Sequence, residues 1–117
     1  MTTSTEFRAV HDQSGKPLPG LYESDICRVE RDHDGLWVAD VPMRQIGNSA
    51  YMEFRPLDMG GQWVRVGHFK VRRGAMSVAE RLKSGELVFD TAVSRNGVAP
   101  VKLVQFSAVV DEIRQFQ

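Results

Sequence analysis

Three histidines, one cysteine and a run of interleaved basic and aromatic residues are the side chains from which this chain of 117 residues can draw chemistry. Histidine is the usual acid–base and metal-binding residue. His33 lies in Arg31-Asp-His-Asp-Gly35, where Asp32 and Asp34 flank it. Successive residues of one short turn do not converge on a single ion, so turn formation is the expected role of that segment. His68, next to Gly67 on a basic stretch, is the histidine best placed to face a ligand, and His11 belongs to no signature. Cys27 stands alone in an alternating apolar stretch, which reads as a small core residue and rules out an intramolecular disulfide or a multi-cysteine zinc site. No nucleophile elbow, phosphate-binding loop, dinucleotide fingerprint or paired-histidine zinc motif is present. Neither a cofactor nor a metal is expected, and enzyme activity has no support in the residues.

What remains is a mixture of cations and rings between residues 44 and 73. Nucleic-acid-binding sheets use this mixture, because bases stack on aromatic faces while cations neutralise phosphates. Phe54 and Phe69 fall on the apolar parity of their segments and read as core, which leaves Tyr51 and Trp63 as the rings free to stack. The candidate partner-binding residues are therefore Arg44, Tyr51, Arg55, Trp63, Arg65, His68, Lys70, Arg72 and Arg73.

Apolar residues make up 42% of the chain and charged residues 26%, the composition of a chain able to form a packed core. Formal net charge is zero, which argues against a protein acting through bulk charge on membranes or nucleic acid. The balance hides an asymmetry. Residues 1–40 hold four basic side chains against eight acidic ones, whereas residues 41–73 hold six against two. Either the fold separates these segments and creates a cationic face, or they pair as neighbouring strands and cancel. The single cysteine, the polar start and the lack of any apolar run near the ~18 residues of a membrane span make cytoplasmic residence and no membrane partner the expectation.

The positioning elements follow from periodicity. Residues 1–5 read as a flexible tail and 6–117 as one domain. Phe7 to Val10 is an edge strand, and Asp12 to Gly20, dense in turn formers, is a loop. Ile26 to Glu30 and Leu36 to Asp40 alternate around Arg31–Gly35, a hairpin whose Gly35 supplies positive φ. Pro42 to Ser49 is irregular, Ala50 to Arg55 is a strand, and Gln62 to Arg73 is a long strand. From Val66 to Phe69 the apolar parity changes, which places a β-bulge at Gly67 and turns Arg65, Lys70 and Arg72 outward as a basic row. Ser77-Val-Ala-Glu80 is a capping box opening a helix that stops at Gly85. Glu86 to Val93 and Val98 to Phe106 form a hairpin at Asn96-Gly97, with Pro100 marking an edge. Ser107 caps a final helix whose stripe is Val109, Ile113 and Phe116. The sum is an α+β domain of six or seven short antiparallel strands, a curled sheet or partial barrel, with two short helices.

One string invites comparison. Arg44-Gln-Ile-Gly-Asn-Ser-Ala50 resembles the Ile-Gly-Asn-Ser segment of the swapped-hairpin DNA-binding family of antitoxins and transition-state regulators, over these few residues alone. Here the segment follows some forty residues containing a hairpin and lacks that family's glycine after the serine, so no residue role is carried over. The function expected from the residues is that of a non-enzymatic regulatory or binding protein that docks on a protein partner, an inhibitor or assembly factor of viral or mobile-element type. The alternative is a nucleic-acid-binding module using the basic and aromatic strand. A small enzyme built on His68 or His33 stands third, and a homo-oligomer is compatible with each.

Overall fold

A computed structural model of the protein describes residues 6–91 and 102–115. In chain order the strands are β1 (Arg8–His11), β2 (Pro17–Glu23), β3 (Arg28–Arg31), β4 (Trp37–Gln45), β5 (Tyr51–Phe54), β6 (Gln62–Phe69), β7 (Leu87–Asp90) and β8 (Lys102–Gln105). They form one open antiparallel sheet that carries two helices, α1 (Arg72–Lys83) and α2 (Phe106–Arg114). The α+β class holds, and the described residues form eight strands in a sheet that does not close into a barrel.

The long strand β4 organises the sheet. Trp37 pairs with Arg31 of β3 and with Phe69 of β6, and Met43 pairs with Phe54 of β5 and with Gln62 of β6. β6 therefore runs along one edge of β4, while β3 and then β5 share the other. Two half-sheets diverge from that edge: β3, β2 and β1 on one side, β5, β7 and β8 on the other. Pro42, expected to end regular structure, lies inside β4. Its carbonyl accepts the Arg55 amide at 3.0 Å, so the donor it lacks would point to the same edge, where β3 has stopped and β5 begins.

Two hairpins use one device. The Asp32 carboxylate oxygen Oδ1 accepts the amides of Asp34 and Leu36, both at 2.9 Å, with Gly35 at φ 80°. Asp12 Oδ1 likewise accepts the amides of Ser14 and Lys16. The second turn corrects the expected loop over Asp12–Gly20, because Pro17–Glu23 is strand β2. Its two prolines are tolerated: Pro17 is the first residue, and Pro19 lies where the β1–β2 register shifts.

The expected bulge is present, one residue before Gly67. Ala39 pairs with Gly67 and Asp40 with Arg65, which leaves Val66 extra. The strand then ends at Phe69, not Arg73, and α1 begins at Arg72, five residues before the expected cap at Ser77. Ala75, Ala79 and Leu82, spaced i, i+4 and i+7, are buried against the sheet, and that burial requires helix from Arg72 onward. Gly85 follows the helix at φ 86°, as expected. α2 starts one residue before Ser107, on Phe106, whose amide donates to Glu86 O at 2.8 Å. The sheet, not a capping side chain, sets its start. The Asn96-Gly97 turn, Pro100, Phe116 and the tail 1–5 lie outside the described residues.

Two apolar clusters occupy opposite faces. Met52, Leu87, Phe89 and Leu103 join Val29, Val41 and Met43 beneath α1. Tyr51, Val88 and Val104, the alternate residues of the same strands, join Ile46, Val109 and Ile113 beneath α2. Strands β5, β7 and β8 are thus covered on both faces. Among the described residues no helix is long and apolar enough to cross a membrane.

Candidate partner-binding surfaces

The nine candidate residues do not form one surface. On the sheet face opposite α1, Arg8, Glu23, Arg28, Asp40 and Arg65 are consecutive register partners across five strands, a transverse row of alternating charge. Within it Arg28 pairs with Glu23 at 3.2 Å and Arg65 with Asp40 at 3.4 Å. His68 lies 4.0 Å from Asp32. The acidic amino-terminal hairpin therefore lies beside the basic strand and neutralises it. The expected basic row is corrected in a second way, since Lys70 follows the strand and Arg72 belongs to the first turn of α1.

Tyr51 is also corrected. It is 6% exposed, and its hydroxyl donates to Glu112 Oε2 of α2 at 2.9 Å. That hydrogen bond to the carboxylate, with burial second, pushes its pKa up to about 12. It ties a helix to the sheet and cannot stack on a base. Trp63 is half-buried, with the Arg28 guanidinium 4.5 Å above its ring. Arg55 pairs with Glu53, which opposes Arg44 across β4 and β5. The Ile46–Ser49 segment is the β4–β5 turn: Ile46 is buried, Gly47 has φ 54°, and the Ser49 hydroxyl donates to Ile46 O at 2.6 Å.

Cys27 is fully buried, and burial foremost, with the charge of Asp40 second, pushes its thiol up to about 12. At neutral pH it is a protonated core side chain. Among the described residues no three His, Cys, Asp or Glu side chains stand close enough to hold a metal ion.

Two surface features concentrate groups with unused contact capacity. The first is a cleft of about 570 Å³ between the β2–β3 turn and the β5–β6 connection. Ser24, 2% exposed, ties its own turn by accepting the Ile26 and Cys27 amides and donating to Cys27 O, which fixes one wall. Opposite it, Pro56 opens a 3-10 turn over Leu57–Met59 that closes on Gly60 at φ 102°. A Cβ on Gly61 would collide with the Arg55 carbonyl, so this wall approaches β5 at backbone distance. Ile26, Phe54, Leu57, Met59 and Trp63 supply apolar lining, with Glu23, Asp25, Asp58 and Lys83 among the charged groups around it. Leu57 and Met59 are 44% and 59% exposed.

The second feature is a corner where β2, β3, β4 and α1 meet. Tyr22 and Trp37 touch edge to face with centroids 5.8 Å apart. The Arg72 guanidinium lies 4.3 Å over the Tyr22 ring and 5.3 Å over Trp37, and Arg31 lies 5.6 Å over Trp37. Lys70 and Arg73, both exposed, flank Arg72 in sequence.

Of the nine residues singled out in the sequence, Trp63 is in the cleft and Arg72 is at the corner, with Lys70 and Arg73 close to it in the chain. Tyr22, Arg31 and Trp37 are not singled out by sequence pattern, although the hairpin register that pairs Arg31 with Trp37 is legible from its turn. Nor are Leu57 and Met59, whose only signal is their place in a proline- and glycine-bounded turn. Comparison with protein-family models, curated proteins and solved structures yields no match.

Proposed function

We propose that this chain is a non-enzymatic binding module that docks on a protein partner through the cleft between the β2–β3 turn and the β5–β6 connection. One observation carries the reading: among the described residues, two of the four exposed large apolar side chains, Leu57 and Met59, line the same cleft. Apolar surface left in water costs about 25 cal/mol per Å², and a partner side chain seated among Leu57, Met59, Phe54 and Trp63 recovers it. The walls are held by the Ser24 turn and by the close approach of Gly61, so little ordering is left for the moment of binding. The charged groups around it suit a polar rim that excludes water from that contact.

The test is a photoreactive phenylalanine analogue introduced at position 57 or 59, with position 16 on the far hairpin turn as control, and irradiation in the source cell. Docking at the cleft predicts one discrete cross-linked protein from positions 57 and 59 and none from 16. Cross-links of equal yield from all three positions defeat the reading.

A further inference from the structure

We propose that the corner formed by Arg31, Lys70, Arg72 and Arg73 around the Tyr22–Trp37 pair is a second binding surface, which takes single-stranded nucleic acid. The proposal is independent of the cleft and of its partner. Arg31 of β3 and Arg72 of α1 meet over the rings, Lys70 and Arg73 lie two residues before and one after Arg72 in the chain, and among the described residues none of the four is in an ion pair with a carboxylate. Arg8, Arg28, Arg55, Arg65 and Arg81, by contrast, each have an acidic partner within 3.4 Å.

The placement runs against stability as well. Arg72 and Arg73 occupy the first turn of α1, where the helix macrodipole disfavours positive charge, and no acidic residue lies in that turn. The residue ahead of them, Val71, is 59% exposed and offers no capping hydrogen bond. Stacking on the rings compensates Arg72, whereas Arg73 breaks the local rule with no acidic partner among the described residues, the mark of a residue kept for binding.

The rings decide which polyanion fits. Arg72 stacks on Tyr22 and Trp37, so a flat delocalised cation already extends an aromatic pair, and a base can continue that stack. Exposed Lys70 and Arg73 stand two residues before and one residue after Arg72, on either side of the stack, as a polymer that alternates planar bases with phosphates requires. An acidic peptide supplies the charge but not the planes.

The experiment is fluorescence anisotropy of labelled single strands of about 12 nucleotides, oligothymidylate and oligouridylate, titrated with the full chain. Four phosphates neutralised predict a loss of affinity of about 50-fold between about 50 and 200 mM salt. The double variant Lys70→Ala with Arg73→Ala, at two exposed positions, reduces that loss to about 7-fold. Arg72→Lys keeps the charge and removes the plane, and binds about tenfold more weakly with the salt slope unchanged. An abasic strand of the same length binds more weakly than either oligonucleotide, and polyglutamate more weakly still. No binding at the lower salt, an unaltered salt slope in the double variant, or equal affinity for the abasic strand or polyglutamate overturns the proposal. In the polyglutamate case the corner is a docking surface for acidic protein segments.

Discussion

The two half-sheets that diverge from β4 are built from similar short strands yet solve different problems. In β7, Leu87, Val88 and Phe89 are all buried, because α1 covers one face and α2 the other. In β3, Val29 is buried while Arg28 and Glu30 on the opposite face carry charge, and among the described residues no helix lies over them. The half held on both faces is the more firmly anchored, and its surface is used up by its own helices. The half covered on one face keeps a bare charged sheet whose pairs cancel. What that half leaves unspent lies at its margins, in the cleft on one side and the cationic corner on the other. In this chain the residues that hold the fold and those available for binding are largely different sets.

Substitutions rank accordingly. Phe89→Ala in the doubly covered half costs about 3–5 kcal/mol, read from the denaturant midpoint at unchanged slope. A loss below about 1 kcal/mol would mean that α1 does not cover β7 as described. Tyr51→Phe costs about 1–2 kcal/mol, because it leaves Glu112 without the hydroxyl that it accepts from. The same bond has a pH signature. The folded-state pKa of Tyr51 is raised from 10.0 to about 12, so its contribution is fully present below pH 10 and is lost as pH rises toward 12. Alkaline titration should release α2 in the wild type, and the Tyr51→Phe variant should lack that step. In the bare half the effects are small. Arg65→Ala costs less than about 1 kcal/mol, since its side chain is 59% exposed and its partnership with Asp40 is solvated. A double-mutant cycle on Arg65 and Asp40 should give a coupling of about 0.5 kcal/mol, and a value several times larger would make the charge row a structural element in its own right.

The same contrast explains what was legible in the sequence. The Asp32–Gly35 hairpin, the bulge beside Gly67 and the helix stop at Gly85 were readable, because each is written in neighbouring residues that need a particular local geometry. The end of β6 was not, since Val71 and the arginines after it continue an alternating pattern. Only the burial of Ala75, Ala79 and Leu82 against distant strands converts that stretch to helix. Pro42 misled for a related reason: its missing donor is harmless only because two different strands share that edge of β4. Tyr51 has the alternation of a solvent-facing residue, and its burial depends on a helix sixty residues away. The basic strand was visible as a charge run. Its neutralisation required knowing that Asp40 falls opposite Arg65 across β4 and β6, a long-range register that no local pattern encodes. The corner could be assembled only from the same kind of contact, as its rings and cations come from four elements.

The most direct test of the separation between folding and binding places the photoreactive analogue at position 58, also exposed at the cleft, and compares the cross-linked partner recovered with and without the Leu57→Asp and Met59→Asp double substitution, below the unfolding temperature of both proteins. Both side chains are exposed, so the variant should unfold within about 0.5 kcal/mol of the wild type while recovery falls at least about tenfold. Undiminished recovery from the folded variant would contradict the account, because it would remove the cleft from the interface.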